Sequence, residues 1–372
     1  MSGEIHMPAA LVPGRECYFA RYCKKLSETT WAIVDVSLEK YFPHPSINFR
    51  RRPSGCFIQF MPQEGFSKIT WVEHVEADYR DLNSTFKDLI KSSFAFGATR
   101  WISAMVRQFE YSEILKAKYW PPEDAVKVIG EGGRRSMLKL GDRMIRTFCS
   151  EINGSKRNQW FRLPGEPFDD TEDVRLAIRE HAIEAGKPLA TTLVFAASQW
   201  FPITPRLLFD FLRDAESRTD WDVLARGLCV QELSYIVKGK DSANRVSLMQ
   251  VTDELDTYVI NYIQESYTDI TGSYVVYAPI DEPAVTALLE GGDPDMVGIL
   301  PSGFSILPQE IPKDDGPHSG VASILTASFN IVDYGSNKSH VPPQSLAVIK
   351  KILRETFKAI KSFVFNEDSD DD

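Results

Sequence analysis

Pro301-Ser302-Gly303-Phe304-Ser305-Ile306, followed by Pro308-Gln309-Glu310, repeats an arrangement found earlier in the chain as Pro53-Ser54-Gly55-Cys56-Phe57-Ile58 and Pro62-Gln63-Glu64. The surroundings repeat too. Ahead of each Pro-Ser-Gly lies an apolar, β-branched run, Trp31–Val36 in the first case and Tyr274–Ile280 in the second. Behind each comes another strand-like run and then a pattern with a period near 3.6. A tripeptide alone could be chance; a tripeptide in one fixed order of elements reads as two related modules. Each is an antiparallel sheet followed by a long helix, a two-layer α+β design. A curved sheet wrapped on such a helix leaves space between the layers for an apolar ligand.

Working outward, the second module is the fuller. Before its shared portion stand a strand at Leu193–Trp200, a helix opening at Pro205 with Thr204 as N-cap, and strands at Cys229–Lys238, Arg245–Gln250 and Tyr258–Asp269. Its closing helix spans about Gln344–Phe363, with Leu346, Ile349, Leu353, Phe357 and Ile360 on one face. The first module has only a strand at Cys17–Tyr22 in the corresponding place, so it reads as a copy truncated at its N-terminus. Its closing helix is expected from Thr85 to about Lys118. A helix at about Arg134–Ile152 and a polar, loop-rich stretch around Pro164-Gly165 lie between the modules, with a strand near Val174–Ile178. The four expected segments are 1–130, 131–189 as a helical linker, 190–365, and an acidic tail at 366–372.

Composition narrows the function. The 372 residues carry 42 Lys and Arg against 52 Asp and Glu, a net charge of −10. Such a chain as a whole repels nucleic-acid backbones and anionic lipid surfaces. No apolar run nears the roughly 20 residues of a membrane span. The N-terminus lacks the pattern of a secretory signal. Five scattered cysteines without a CxxC pair read as free thiols in a reducing compartment. His44, His74, His181 and His318 have no partner at metal spacing, and no GxSxG or HExxH motif occurs. Neither a cofactor nor an enzyme is expected. The basic stripe Arg135, Lys139, Arg143 and Arg146 is expected to pair with the protein's own acids.

Several long runs resemble the START region of plant class IV homeodomain–leucine zipper transcription factors. They include Arg51-Arg52-Pro53-Ser54-Gly55-Cys56, Lys68-Ile69-Thr70-Trp71-Val72-Glu73-His74, Phe96-Gly97-Ala98-Thr99-Arg100-Trp101, Gly132-Gly133-Arg134-Arg135-Ser136-Met137-Leu138, Leu208-Phe209-Asp210-Phe211-Leu212-Arg213, Val275-Val276-Tyr277-Ala278-Pro279 and Leu300-Pro301-Ser302-Gly303-Phe304. The resemblance covers about residues 14 to 364. It implies a helix-grip START domain, here truncated, followed by a START-adjacent domain. It also implies a lipid or sterol ligand, protein partners and a nuclear location. If the targeting signal lies in a missing region, the location is cytoplasmic.

Two departures stand out. The sequence holds no Trp-Phe-x-Asn-Arg recognition helix and no leucine heptad, so DNA is a partner only by family resemblance. The N-terminal half of START has no counterpart. The expectation is therefore a ligand-sensing regulatory region without its own DNA-binding domain. The alternative readings are a ligand-free interaction scaffold and a truncated, non-functional product. Candidate cavity-lining residues are Trp31, Ile58, Trp71, Trp101, Met105, Trp221, Tyr277, Phe304 and Phe357.

Overall fold

A computed structural model describes residues 1–41, 49–80, 82–117, 129–163, 173–180, 191–255, 257–310, 321–333 and 343–367. Pro164-Gly165, His44, His181, His318 and the tail from 368 onward lie outside them.

The first unit opens with β1 (Ser2–Ile5), β2 (Arg15–Lys25), β3 (Thr30–Ser37), β4 (Phe49–Arg51), β5 (Ser54–Met61), β6 (Phe66–Val72) and β7 (Val75–Ala77). Five of these form an antiparallel sheet in the order β1-β2-β3-β5-β6, and β4 pairs with β7 in a separate ribbon. The expected long helix is broken into α1 (Ser84–Lys91), α2 (Ser93–Phe96) and α3 (Ala98–Lys116). The reason is local. Ser92 leaves the helical region, and its hydroxyl oxygen accepts from the Phe94 amide, capping α2. Gly97, extended at φ −85° and ψ 176°, breaks the chain again.

The second unit begins with α4 (Glu131–Ile152), β8 (Trp160–Arg162), β9 (Arg175–Glu180), β10 (Thr191–Phe201), α5 (Pro205–Arg213) and α6 (Arg218–Trp221). It continues with β11 (Cys229–Val237), β12 (Arg245–Thr252), β13 (Val259–Asp269), β14 (Gly272–Ile280) and α7 (Glu282–Leu289). It closes with β15 (Ser302–Glu310), β16 (Val321–Asp333) and α8 (Pro343–Glu367). Nine strands run in the order β11-β12-β13-β14-β15-β16-β10-β9-β8, every pair antiparallel. The stretch 131–189, expected as a helical linker, thus contributes α4, β8 and β9 to this unit.

The repeat is real in three dimensions. Gly55 opens β5 beside β3, and Gly303 opens β15 beside β14. Their φ angles are +159° and +153°. A Cβ on Gly55 would overlap the Ile33 carbonyl oxygen, and one on Gly303 the Val275 carbonyl oxygen. The Pro-Ser-Gly tripeptide therefore marks one recurring backbone contact, where a second strand approaches too closely for a side chain.

Both faces of the nine-stranded sheet are covered. Side chains alternate across a strand. Leu193, Phe195, Val275, Tyr277, Phe304 and Ile306 point one way and pack with α5, α6 and α8, whose Ile349, Leu353, Phe357 and Ile360 are buried. Val246, Leu248, Ile263, Val276 and Ala278 point the other way and pack with Met137, Leu140, Met144 and Phe148 of α4. This double cover explains why Leu193–Ala197 is buried at every residue instead of at alternate ones.

The first unit shares this outer layer. Phe86, Leu89, Ile90 and Phe96 of α1 and α2 are buried together with Leu307 and Ile324 of β15 and β16. Ile114 of α3 is buried among the α4 residues, with Tyr111 and Leu115 packed beside it. The α helices of the first unit therefore sit on the back of the second sheet.

Candidate functional site

The nine candidate lining residues fall into two separate places. Five lie in the first unit. Trp31 stands beside Ile58 in the sheet register, and Ile58 beside Ile69. Two residues along, Cys56 stands beside Trp71, so Trp31, Ile58 and Trp71 share one face. The facing element is α3, whose Trp101 ring stacks on Trp71 with centroids 5.2 Å apart and planes within 12°. Met105 follows one helical turn later on the same side of α3. Trp71, Trp101, Met105 and Ile58 are half-buried, and Trp31 is 43% exposed. Phe60 on the same sheet face is likewise exposed. This face of the sheet is thus apolar and partly exposed, and α3 meets it at the Trp71–Trp101 stack.

An ionic network adjoins the Trp71–Trp101 stack. The Arg51 guanidinium donates to both carboxylate oxygens of Glu73, at 2.7 and 2.9 Å, and to Asp35 at 2.5 Å. Asp35 also accepts two bonds from Arg21, at 2.7 and 2.8 Å. The Trp71 indole donates to Glu73 at 3.0 Å, and Arg51 lies 5.6 Å from the Trp101 ring centroid. Burial alone would raise the Asp35 pKa, but hydrogen bonds and charges from Arg21 and Arg51 outweigh it and hold the carboxyl below its ordinary range. Two cations meet two anions, so the network cancels itself and leaves no net charge for a ligand to match.

The other four candidates meet in the second unit, inside the sheet–helix layer. The Trp221 ring lies 5.0 Å from Phe304 and 5.9 Å from Tyr277. Phe357 of α8 stacks with Phe201 at 6.4 Å. Around two of these rings the packing is close. Trp221 and Phe304 are 0% exposed, so no water-sized space touches either ring. What fills the centre is a residue the sequence reading passed over. Arg218 is buried with its guanidinium carbon 4.3 Å from the Tyr277 centroid, 4.8 Å from Tyr262 and 5.2 Å from Trp221. It donates to Asp222 at 3.1 Å and to Gln264 at 3.1 Å. Burial drives the phenols of Tyr262 and Tyr277 upward, against the pull of the Arg218 charge. Arg218 sits three residues before Trp221 in an α6 of only four residues, so no helical periodicity announced its inward turn.

Three of the four cations of the α4 stripe, Arg135, Arg143 and Arg146, pair with the protein's own groups. Arg135 meets Glu131 at 3.0 Å, Arg146 meets Asp142 at 2.8 Å, and Arg143 donates to the Asp295 and Val297 carbonyls. Among the described residues, no group of His, Cys, Asp and Glu is arranged to hold a metal ion, and no helix is long and apolar enough to cross a membrane.

Comparison with known proteins matches residues 1–110 to the START domain and residues 131–365 to the PDF2-like C-terminal domain. The chain is 36% identical over 374 residues to "Homeobox-leucine zipper protein ROC4" of Oryza sativa subsp. japonica, covering 97% of this chain and 46% of that protein. It is 37% identical over 364 residues to "Homeobox-leucine zipper protein HDG3" of Arabidopsis thaliana, at 97% and 49% coverage. It is 32% identical over 381 residues to "Homeobox-leucine zipper protein GLABRA 2" of Arabidopsis thaliana, at 99% and 50%. The chain therefore spans about half the length of the curated relatives it matches. Among solved structures, human STARD10 matches at 15% identity and a TM-score of 0.35, over 67% of this chain and 86% of that one.

Proposed function

This chain belongs to the START and PDF2-like C-terminal domain family of plant class IV homeobox-leucine zipper proteins, and from that premise we propose that it is a ligand-responsive regulatory region acting on transcription in the nucleus through protein partners. The ligand is a neutral apolar molecule of the lipid or sterol kind. It lies in the groove between the first sheet and α3, against Trp31, Ile58, Trp71, Trp101 and Met105. The second unit is a packed scaffold that carries the helices of the first. No catalytic role is assigned to either unit, since Asp222 and Asp35 are both engaged by arginines. DNA contact is not among the tasks proposed for these residues.

The observation that carries this reading is the contrast in exposure. A large apolar side chain left in water forgoes roughly 1.5–3 kcal/mol of burial. Trp31 and Phe60 forgo much of it, while every candidate in the second unit is buried. A ligand in the groove recovers that free energy; the second interior has nothing left to recover. It can act as a signal only if it favours one arrangement of the chain over another. The moving part proposed is α3, which buries only Ser103 and Ile114.

The test is native mass spectrometry of the full chain after exposure to a plant lipid extract, beside the variant Met105→Glu. One retained neutral lipid is expected, and its loss from the variant. A folded chain that retains no lipid, or a variant that retains it equally, would shift the reading to a ligand-free scaffold.

A further inference from the structure

We infer that the cavity at the junction of the two units binds a small apolar monocarboxylate, whose acid group pairs with Arg107. The cavity measures about 360 Å³, within the ~300–1,000 Å³ common for small-molecule sites. Its walls come from three layers: Ala104, Arg107 and Tyr111 of α3, Ile145 of α4, and Tyr267 of β13 among them. It lies on the back of the second sheet, away from the groove discussed above, and does not rest on that reading.

Charge accounting singles out Arg107. Arg146 is matched by Asp142, and Lys238 by Glu265, with which it is in direct contact. Arg107 makes no ion pair among the described residues. Its guanidinium carbon lies instead over two aromatic rings, 5.0 Å from Tyr267 and 5.8 Å from Tyr274. A guanidinium so placed keeps its charge and its fork of donors. With Arg146 held by Asp142 and Lys238 by Glu265, Arg107 is the cation of this lining without a carboxylate bonded to it among the described residues.

The carboxylates nearby set the ligand's charge. Glu110 and Glu265 line the same cavity, and Glu265 Oε2 has no hydrogen-bond partner. Gly141 lets α4 ride close above it; a Cβ there would come 2.7 Å from that oxygen. Glu110, Asp142 and Glu265 repel every additional negative charge, so the ligand we infer carries one carboxylate only, directed to Arg107, and is otherwise apolar. Because the walls belong to both units, a bound acid favours the docked position of α3 over any undocked one.

The experiment is isothermal titration of the full chain with 2-naphthoate, its neutral analogue 2-naphthalenemethanol, and 2-naphthyl phosphate. We expect saturable one-site binding of the naphthoate, with the alcohol and the phosphate ester each at least about tenfold weaker, the step that ~1.4 kcal/mol represents. Arg107→Gln is expected to weaken the naphthoate by a similar factor and leave the alcohol unchanged. Because this variant could loosen α3, Ala104→Trp at the exposed rim provides a second lesion. It should abolish naphthoate binding at an unchanged melting temperature. Absence of saturable naphthoate binding, equal affinity in either variant, or tighter binding of the phosphate ester would overturn the assignment.

Discussion

The two sheets of this protein share a motif and differ in what covers them. Both place a Pro-Ser-Gly glycine against the carbonyl of the preceding strand, at Gly55 and at Gly303. Yet β14–β16 lie between α1, α2 and α4 on one side and α5, α6 and α8 on the other. The corresponding β3, β5 and β6 are bare on the outside, where Val34, Phe57 and Val72 are exposed, and half-covered on the inside by α3. The same local grammar thus supports a buried core in one place and a partly exposed apolar face in the other. The difference arises from where the closing helix goes. The apolar stripe of α8 turns into its own sheet. The three helices that replace it in the first unit spend much of their apolar surface on the back of the second sheet.

Substitutions can break this contrast. The largest effect is expected from Phe304→Ala. It removes a ring that is 0% exposed, and a loss of about 3–5 kcal/mol should appear in chemical denaturation of the full chain. Arg218→Leu should cost roughly 3 kcal/mol in the same assay, because it leaves Asp222 and Gln264 buried without their cation. A neutral outcome would show that the guanidinium is dispensable filler. Trp101→Ala should cost less, about 1–2 kcal/mol, since the ring is only half-buried and its stacking on Trp71 is the main loss.

Acid should act on the first unit selectively. Asp35 has a folded-state pKa below its unfolded value, so its stabilisation is complete above the unfolded pKa near ~4 and is lost as pH falls through the folded value. Thermal melts between pH 5 and 2 should therefore show the first unit weakening below about pH 4, and Asp35→Asn should flatten that dependence. The smallest change in stability, within about 0.5 kcal/mol, is expected for Trp31→Ala, because that ring is already wet. Lipid retention should fall all the same. A large stability change there would mean that Trp31 is packed against something other than water.

Much of this architecture was legible in the residues. The runs at Cys229–Lys238, Arg245–Gln250 and Tyr274–Ile280 became β11, β12 and β14 to within two residues at each end, because β-branched and aromatic side chains between turn residues leave little choice. Pro205 behind Thr204 marked the start of α5, and the Thr204 hydroxyl does accept from the Leu207 amide. Leu346, Ile349, Leu353, Phe357 and Ile360 predicted the buried face of α8. The gaps have physical causes. A helical period continues across Ser92 and Gly97, so the breaks between α1, α2 and α3 leave the apolar pattern intact. The Asp281 cap that starts α7 was readable, but eight residues carry too short a pattern to prompt a helix. Strands such as Trp31–Val36 are apolar on both faces whether or not anything covers them, so exposure of the first groove could not be foreseen. Trp221, Tyr277, Phe304 and Phe357 stood among the expected cavity residues without separation from those of the first unit, and nothing in the pattern marked the inward Arg218 beside them.

The central claim is that an apolar ligand enters the first groove and not the second interior. Hydrogen exchange of the full chain, with and without dehydroergosterol, tests it most directly. The account predicts slower exchange in β5, β6 and α3, with β13, β14, β15 and α8 unchanged. Protection confined to the second unit, or no protection anywhere at saturating sterol, would contradict it.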